Sequence, residues 1–133
     1  MGRTGMQTEP DGPDWSETGR LGDYGEAAAA VFLTHHGCRV LARNWRCRHG
    51  EIDLIAMDGE ELVFVEVKTR SGLGYGHPFE AITQSKRARL RKLAGTWLEE
   101  TGISVASMRI DAVAVLVDRT SWDVTIEHLK AVA

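Results

Sequence analysis

Residues 50–70, GEIDLIAMDGEELVFVEVKTR, hold two apolar runs on either side of Asp58-Gly59. That dipeptide between alternating hydrophobics is the strongest short-range signal of a β-hairpin. The segment therefore predicts two antiparallel strands, 51–57 and 61–69. Along the second, Leu62, Phe64, Glu66 and Lys68 share one side while Val63, Val65 and Val67 share the other, because side chains alternate faces along a strand. The valine side must be core, so Asp53, Glu66 and Lys68 either face water or form a site.

The connection decides which. A two-residue loop sets Met57 opposite Glu60, so Asp53 lies opposite Phe64 and diagonal to Glu66; a four-residue loop sets Asp53 directly opposite Glu66. Both bring the carboxylates together, whereas a three-residue loop sends them to opposite faces. Two carboxylates within roughly 5 to 8 Å across a strand pair repel each other unless a cation fills the gap. Hard oxygen ligands select Mg²⁺ or Mn²⁺, which can acidify a water to make a nucleophile. Lys68, about 7 Å from Glu66 at the i+2 spacing, could hold that water or neutralise charge developing on a phosphate. The same three residues also suit a plain cross-strand salt bridge on a solvated face, worth about 0 to 1 kcal/mol.

The rest of the chain supplies the setting. Residues 1–18 combine Gly, Pro and acids without periodicity and predict a disordered tail, leaving 19–133 as one domain. Asp23 then predicts an N-cap for a helix through AAAAVFLTHH, stopped at Gly37. In CRVLARNWRCRHG, Val40, Ala42, Asn44, Arg46 and Arg48 alternate with Arg39, Leu41, Arg43, Trp45 and Cys47, a ragged strand-like pattern that predicts a third strand. A glycine-rich loop leads to a long helix over 78–102, with an apolar stripe of Ile82, Leu90, Leu93, Ala94, Trp97 and Leu98. After it, SVASMRIDAVAVLVD suits a central strand and 121–129 a last one. The order αβββαββ predicts an α/β protein with a mixed sheet and helices on its faces.

A net charge of −3 excludes a uniformly basic DNA-coating protein, yet Arg39 to Lys92 holds eleven basic residues against seven acidic ones. Sharing one face, they could follow a phosphate backbone. The sequence has no secretory leader and no apolar run near ~18 residues, which predicts a cytoplasmic protein without a membrane partner. His35, His36, Cys38 and Cys47 match no structural zinc spacing.

Glu51-Ile52-Asp53, the Asp-Gly turn and Val65-Glu66-Val67-Lys68-Thr69-Arg70 resemble the core motif of the PD-(D/E)xK nuclease superfamily. The resemblance is to its YraN branch, small bacterial proteins related to Holliday junction resolvases. It spans about Arg20 to Leu129 and includes Gly22-Asp23-Tyr24-Gly25-Glu26-Ala27, Arg43-Asn44-Trp45-Arg46 and Arg109-Ile110-Asp111. It implies a restriction-endonuclease-like α/β/α sandwich, with Asp53 and Glu66 as ligands of Mg²⁺ or Mn²⁺, the Val67 carbonyl as a further contact and Lys68 as catalytic lysine. Glu26 stands where relatives carry a helix glutamate completing the acidic cluster; Asp23-x-x-Glu26 equally fits a capping box. Gln84 is a weak further candidate, and Asp111 suits a structural strand acid. His49 and His77 flank the motif and could assist proton transfer, though they equally fit loop residues. The glycines of GRLGDYG lack the Lys-Ser/Thr pair of a phosphate loop.

The expected function is metal-dependent hydrolysis of nucleic acid, branched or flapped DNA, with Arg46, Arg70, Lys86, Arg87 and Arg89 gripping the backbone. A junction-resolving relative would act as a homodimer. The rival is a nucleic-acid- or partner-binding module that keeps the fold without turnover.

Overall fold

A computed structural model describes residues 18–71, 83–121 and 123–132, with side chains from Leu21 onward. The elements are α1 (Thr18–His35), β1 (Cys38–Cys47), β2 (Gly50–Asp58), β3 (Glu61–Ser71), α2 (Gln84–Thr101), β4 (Ser107–Val117) and β5 (Val124–Leu129). The strands form one sheet in the order β1-β2-β3-β4-β5. Only β3 and β4 run parallel, as a pair bridged by α2 must, and the other neighbours are antiparallel. The expected order αβββαββ and mixed sheet are what the chain adopts. The tail expected over the first residues lies, up to residue 17, outside those described, as do His77 and Ile82.

Each face of the sheet carries one helix. Under α1, Ala29 and Leu33 pack on Leu54, Val63, Val65, Val67, Val113 and Val115. Under α2, Leu90, Leu93, Ala94 and Trp97 pack on Ile52, Ile55, Leu62, Phe64 and Ile110. The β3 alternation read from the sequence is thus the observed one, with both sides buried as expected for a strand in the middle of an α/β/α sandwich. Among the described residues no helix is long and apolar enough to cross a membrane.

Both helix starts differ from expectation. α1 begins at Thr18, so Asp23 lies inside the helix and is not its N-cap. Leu21 and Tyr24 pack against the α1-side core, and that burial draws Gly22 and Gly25 into helical conformation against their propensity. The capping-box reading of Glu26 falls with the cap. α2 begins at Gln84 rather than Pro78: Thr83 is its N-cap, with Oγ1 accepting the Lys86 N–H. At the other end Gly102, φ 70°, stops it as expected.

Gly25 sets the distance between α1 and β3. It is buried, and a Cβ there would overlap Thr69 Oγ1, with Thr69 Cβ and Cγ2 at 2.8 and 2.9 Å. Gly25→Ala is expected to lower stability by about 1–3 kcal/mol in urea unfolding, because the clash outweighs the helix propensity gained. A stabilised variant would mean that α1 slides freely on the sheet.

Candidate active site

β2 and β3 turn at Gly59-Glu60, close with the pair Asp58↔Glu61 and stay paired as far as Leu54↔Val65. This is the register of the four-residue connection, tightened by one extra pair. One step past the last pair, Asp53 and Glu66 face each other where the strands part. Asp53 Oδ2 accepts the Val67 N–H at 2.7 Å, a donor that the separating strands leave free.

A local break in β1 and β2 makes this possible. Strict alternation would group Ile52 with Leu54, yet Ile52 and Ile55 both pack on the α2-side core and Leu54 on the other. In β1, Ala42 and Trp45 likewise both pack on the α2 side. The break falls where the ladder skips from Arg43↔Leu54 to Trp45↔Ile52, between Asn44 and Asp53. Asn44 has φ 53°, a left-handed conformation that asparagine tolerates better than most residues. A second shift between Val40 and Ala42 adds to it. The alternation expected for β1 is therefore corrected: Leu41, Ala42, Trp45 and Cys47 share the α2 side, and Arg43 leaves it.

The acids are buried together. Asp53 is 7% exposed and Glu66 6%. Lys68 Nζ sits 3.3 Å from Glu66 Oε2, the i+2 pairing expected along a strand. Glu26, one residue past the close contact at Gly25, reaches down from α1 to Asp53 and Asn44. Its Oε1 is buried and has no hydrogen-bond partner among the described residues. Burial, then the charge of Glu66, pushes the Asp53 carboxyl up to about 8; the Val67 N–H draws it partly back and Glu26 adds to the rise. Burial also raises Glu26, with Glu51 and Asp23 adding to it and the contacts to Asp53 and Asn44 opposing.

Of the expected backbone-gripping residues, Lys86 is the one whose ammonium is held below its usual range, by the charge of Lys68 ahead of burial. Arg87 and Arg89 are exposed along the first turns of α2. Arg46, on the edge strand, turns to Glu51 at 2.9 Å, and Arg70 donates to the Thr69 carbonyl at 3.3 Å. Gln84 is exposed, and His49 is an exposed turn residue whose Nε2 accepts from Arg48.

Asp111 lies elsewhere, in a structural network. It is fully buried, bonded by Arg109 Nε, by His128 Nε2 at 2.8 Å and by the Ala131 N–H at 2.9 Å. Burial alone would raise its carboxyl, but these donors hold it below the usual carboxylate range.

Asn44 is the site residue that sequence reading missed. Its signal was present, an asparagine in the middle of a ragged strand pattern, but nothing local said that Glu26 would come to it.

Two buried carboxylates, with a third whose oxygen lacks a donor among the described residues, suit a hard divalent cation, since magnesium is commonly held by one or two carboxylates and waters. Among the described residues no three His, Cys, Asp or Glu side chains converge as a complete cage. Asp53 and Glu66 could therefore hold an ion only with waters or a backbone carbonyl such as that of Val67. Cys38 and Cys47 are both free thiols.

Fold and site together define an α/β/α sandwich of the nuclease-like type, with an acid–acid–lysine cluster where two central strands part. The chain belongs to UPF0102, described as an uncharacterised protein family, whose model matches residues 25–115 and which is the YraN family that the motifs resembled. It is 54% identical over 112 residues to a UPF0102 protein of Beutenbergia cavernae, covering 84% of this chain and 94% of the relative. A UPF0102 protein of Nocardia farcinica is 53% identical over 112 residues, 84% of this chain and 87% of that one. One of Rhodococcus jostii is 50% identical over 110 residues, 83% and 92% respectively.

Proposed function

We propose that this chain is a divalent-metal-dependent nuclease that hydrolyses phosphodiester bonds in nucleic acid, with branched or flapped DNA as the substrate class. The observation that carries this reading is the burial of Asp53 and Glu66 side by side, with Lys68 on Glu66. Burial, and then the charge of Glu66, push the Asp53 carboxyl up to about 8, the kind of perturbation that clusters at functional sites.

A bound Mg²⁺ or Mn²⁺ would supply Lewis-acid charge to the phosphate and acidify an attacking water. Asp53, Glu66 and the Val67 carbonyl are the groups to hold it, and Glu26 the one to orient water or complete the acidic set. The Val67 N–H fixes the Asp53 carboxylate in one orientation. Lys68, fixed by Glu66, delivers a positive charge where charge develops on phosphate oxygens. Arg87 and Arg89 extend a cationic surface along α2 toward the flanking backbone.

The test is cleavage of labelled linear, flapped, gapped and four-way DNA with Mg²⁺, Mn²⁺ or EDTA, comparing the wild type with Glu66→Ala and Lys68→Ala. Metal-dependent products that both substitutions abolish support the nuclease. Products that persist unchanged in both would sink the residue assignment.

One rival is a nucleic-acid-binding module without turnover, which the exposed cations Arg87 and Arg89 of α2 would serve equally well. It predicts salt-dependent binding that persists in EDTA and no cleavage of any substrate.

A further inference from the structure

β1 departs from a regular strand twice, and the two departures differ in kind. Between Val40 and Ala42 the register shifts by one, so Leu41 is an extra residue, the ordinary bulge by which an edge strand bends. At Asn44 nothing is inserted. Arg43↔Leu54 gives way to Trp45↔Ile52, so one residue of each strand, Asn44 and Asp53, drops out of the ladder together and the register resumes unchanged. A bulge that only guards an edge leaves the inner strand regular. Here β2 breaks level with β1, and Ile52 and Leu54 pack on opposite faces although residues two apart on a strand share one.

The break has its effect one strand further in. Continued past Leu54↔Val65, the β2–β3 ladder would set Ile52 level with Val67. Pairing stops instead, and the Val67 N–H is taken by Asp53 Oδ2 at 2.7 Å. An acceptor in line with a strand's N–H lies near the plane of the sheet, which puts the Asp53 carboxylate in the gap between the strands beside Glu66 and buries both. Asn44 holds its place at φ 53°, where glycine is at ease, asparagine is tolerated and a β-branched residue is an outlier.

We propose that Asn44 is a positioning residue of the acidic site: its left-handed kink draws β2 off β3 at Asp53, frees the Val67 N–H and turns the Asp53 carboxylate into the gap beside Glu66. It acts through the backbone, and asparagine stands there because it bears that conformation. That the carboxylate so placed serves a divalent cation rests on the nuclease reading; that Asn44 places it does not.

The Asn44 side chain also meets Glu26, and glycine separates the two roles by keeping the kink and removing the carboxamide. The Val67 amide is followed by ¹H–¹⁵N spectroscopy in the full-length metal-free protein, and Mn²⁺ binding is then titrated, in the wild type, Asn44→Gly, Asn44→Ala and Asn44→Val. Asp53→Asn marks the amide shift that follows loss of a charged acceptor. Asn44→Gly is expected to keep both the Val67 resonance and the Mn²⁺ affinity close to wild type. Asn44→Val is expected to move the resonance toward that of Asp53→Asn and to weaken Mn²⁺ binding about tenfold or more. Asn44→Ala should show the same changes in smaller measure, and it decides the matter where the valine variant does not fold. Alanine or valine variants that fold, keep the Val67 resonance and bind Mn²⁺ as the wild type does overturn the proposal. So does loss of Mn²⁺ binding in Asn44→Gly, which gives the role to the carboxamide and its contact with Glu26. A wild type that takes up no Mn²⁺ removes the nuclease reading, while the Val67 amide still decides for or against Asn44.

Discussion

Asp53→Asn is expected to raise the stability of the metal-free protein by about 2–4 kcal/mol at pH 9 and, on the nuclease reading, to abolish metal-dependent cleavage with a loss of at least ~10³ in rate. The asparagine can still accept the Val67 N–H, and its amide can donate to the Glu26 Oε1 that has no partner among the described residues. The sign follows from linkage. Asp53 is pushed up to about 8 in the fold, against about 3.9 in an unfolded chain, so the folded state binds the extra proton between those values. Wild-type stability therefore falls as pH rises through that window, and the penalty is complete above about pH 8. Urea unfolding at pH 5 and pH 9 reads this directly: the advantage of Asp53→Asn should be large at pH 9 and small at pH 5. Mn²⁺ at a hundredfold excess over its dissociation constant should return about 2.7 kcal/mol to the wild type and nothing to Asp53→Asn. A wild type whose stability rises from pH 5 to 9 without metal would mean that the two acids do not strain each other.

Arg109→Met should lower stability by about 3 kcal/mol, the cost of taking a charged partner from buried Asp111 and from half-buried Asp58 and Glu61. Its guanidinium reaches Asp58 and Glu61 at 2.8 Å each and Asp111 at 3.0 Å. It thereby ties the closing pair of the hairpin to β4, whose Arg109 lies level with Val63. Asp111 is fully buried, so its loss of a donor cannot be repaired by water. Asp111 is held below its usual range, so its contribution is present above the unfolded value of about 4 and is lost as pH falls through the lower folded value. Arg109→Met should accordingly flatten the acid limb of the stability profile. The double variant Arg109→Met with Asp111→Asn should regain part of the loss, and a single-variant cost under ~1 kcal/mol would show that the network carries little.

Much of the architecture was legible along the chain because its signals are local. Asp58-Gly59 marked the hairpin, Gly37 and Gly102 marked helix ends, and the β-branched run SVASMRIDAVAVLVD marked a central strand, which the fold sets beside β3. The alternation of Leu62, Phe64 and Glu66 against Val63, Val65 and Val67 is a property of any extended backbone. From these the order αβββαββ followed, while the meeting of Asp53 with Glu66 depended on the length of the hairpin connection, which only the observed register settles.

The rest depended on residues far apart in sequence. α1 extends N-terminal of Asp23 because burying Leu21 and Tyr24 outweighs two glycines, and no local rule weighs a core that has not yet formed. Asn44 and Asp53 break the alternation of two neighbouring strands together, since each strand's kink is accommodated by the other's. Glu26 meets Asp53 because Gly25 lets α1 settle onto Thr69. Residue type and spacing named the acids and the lysine; close packing between distant segments chose which charges touch, because side-chain period specifies a face but not what comes to lie against it.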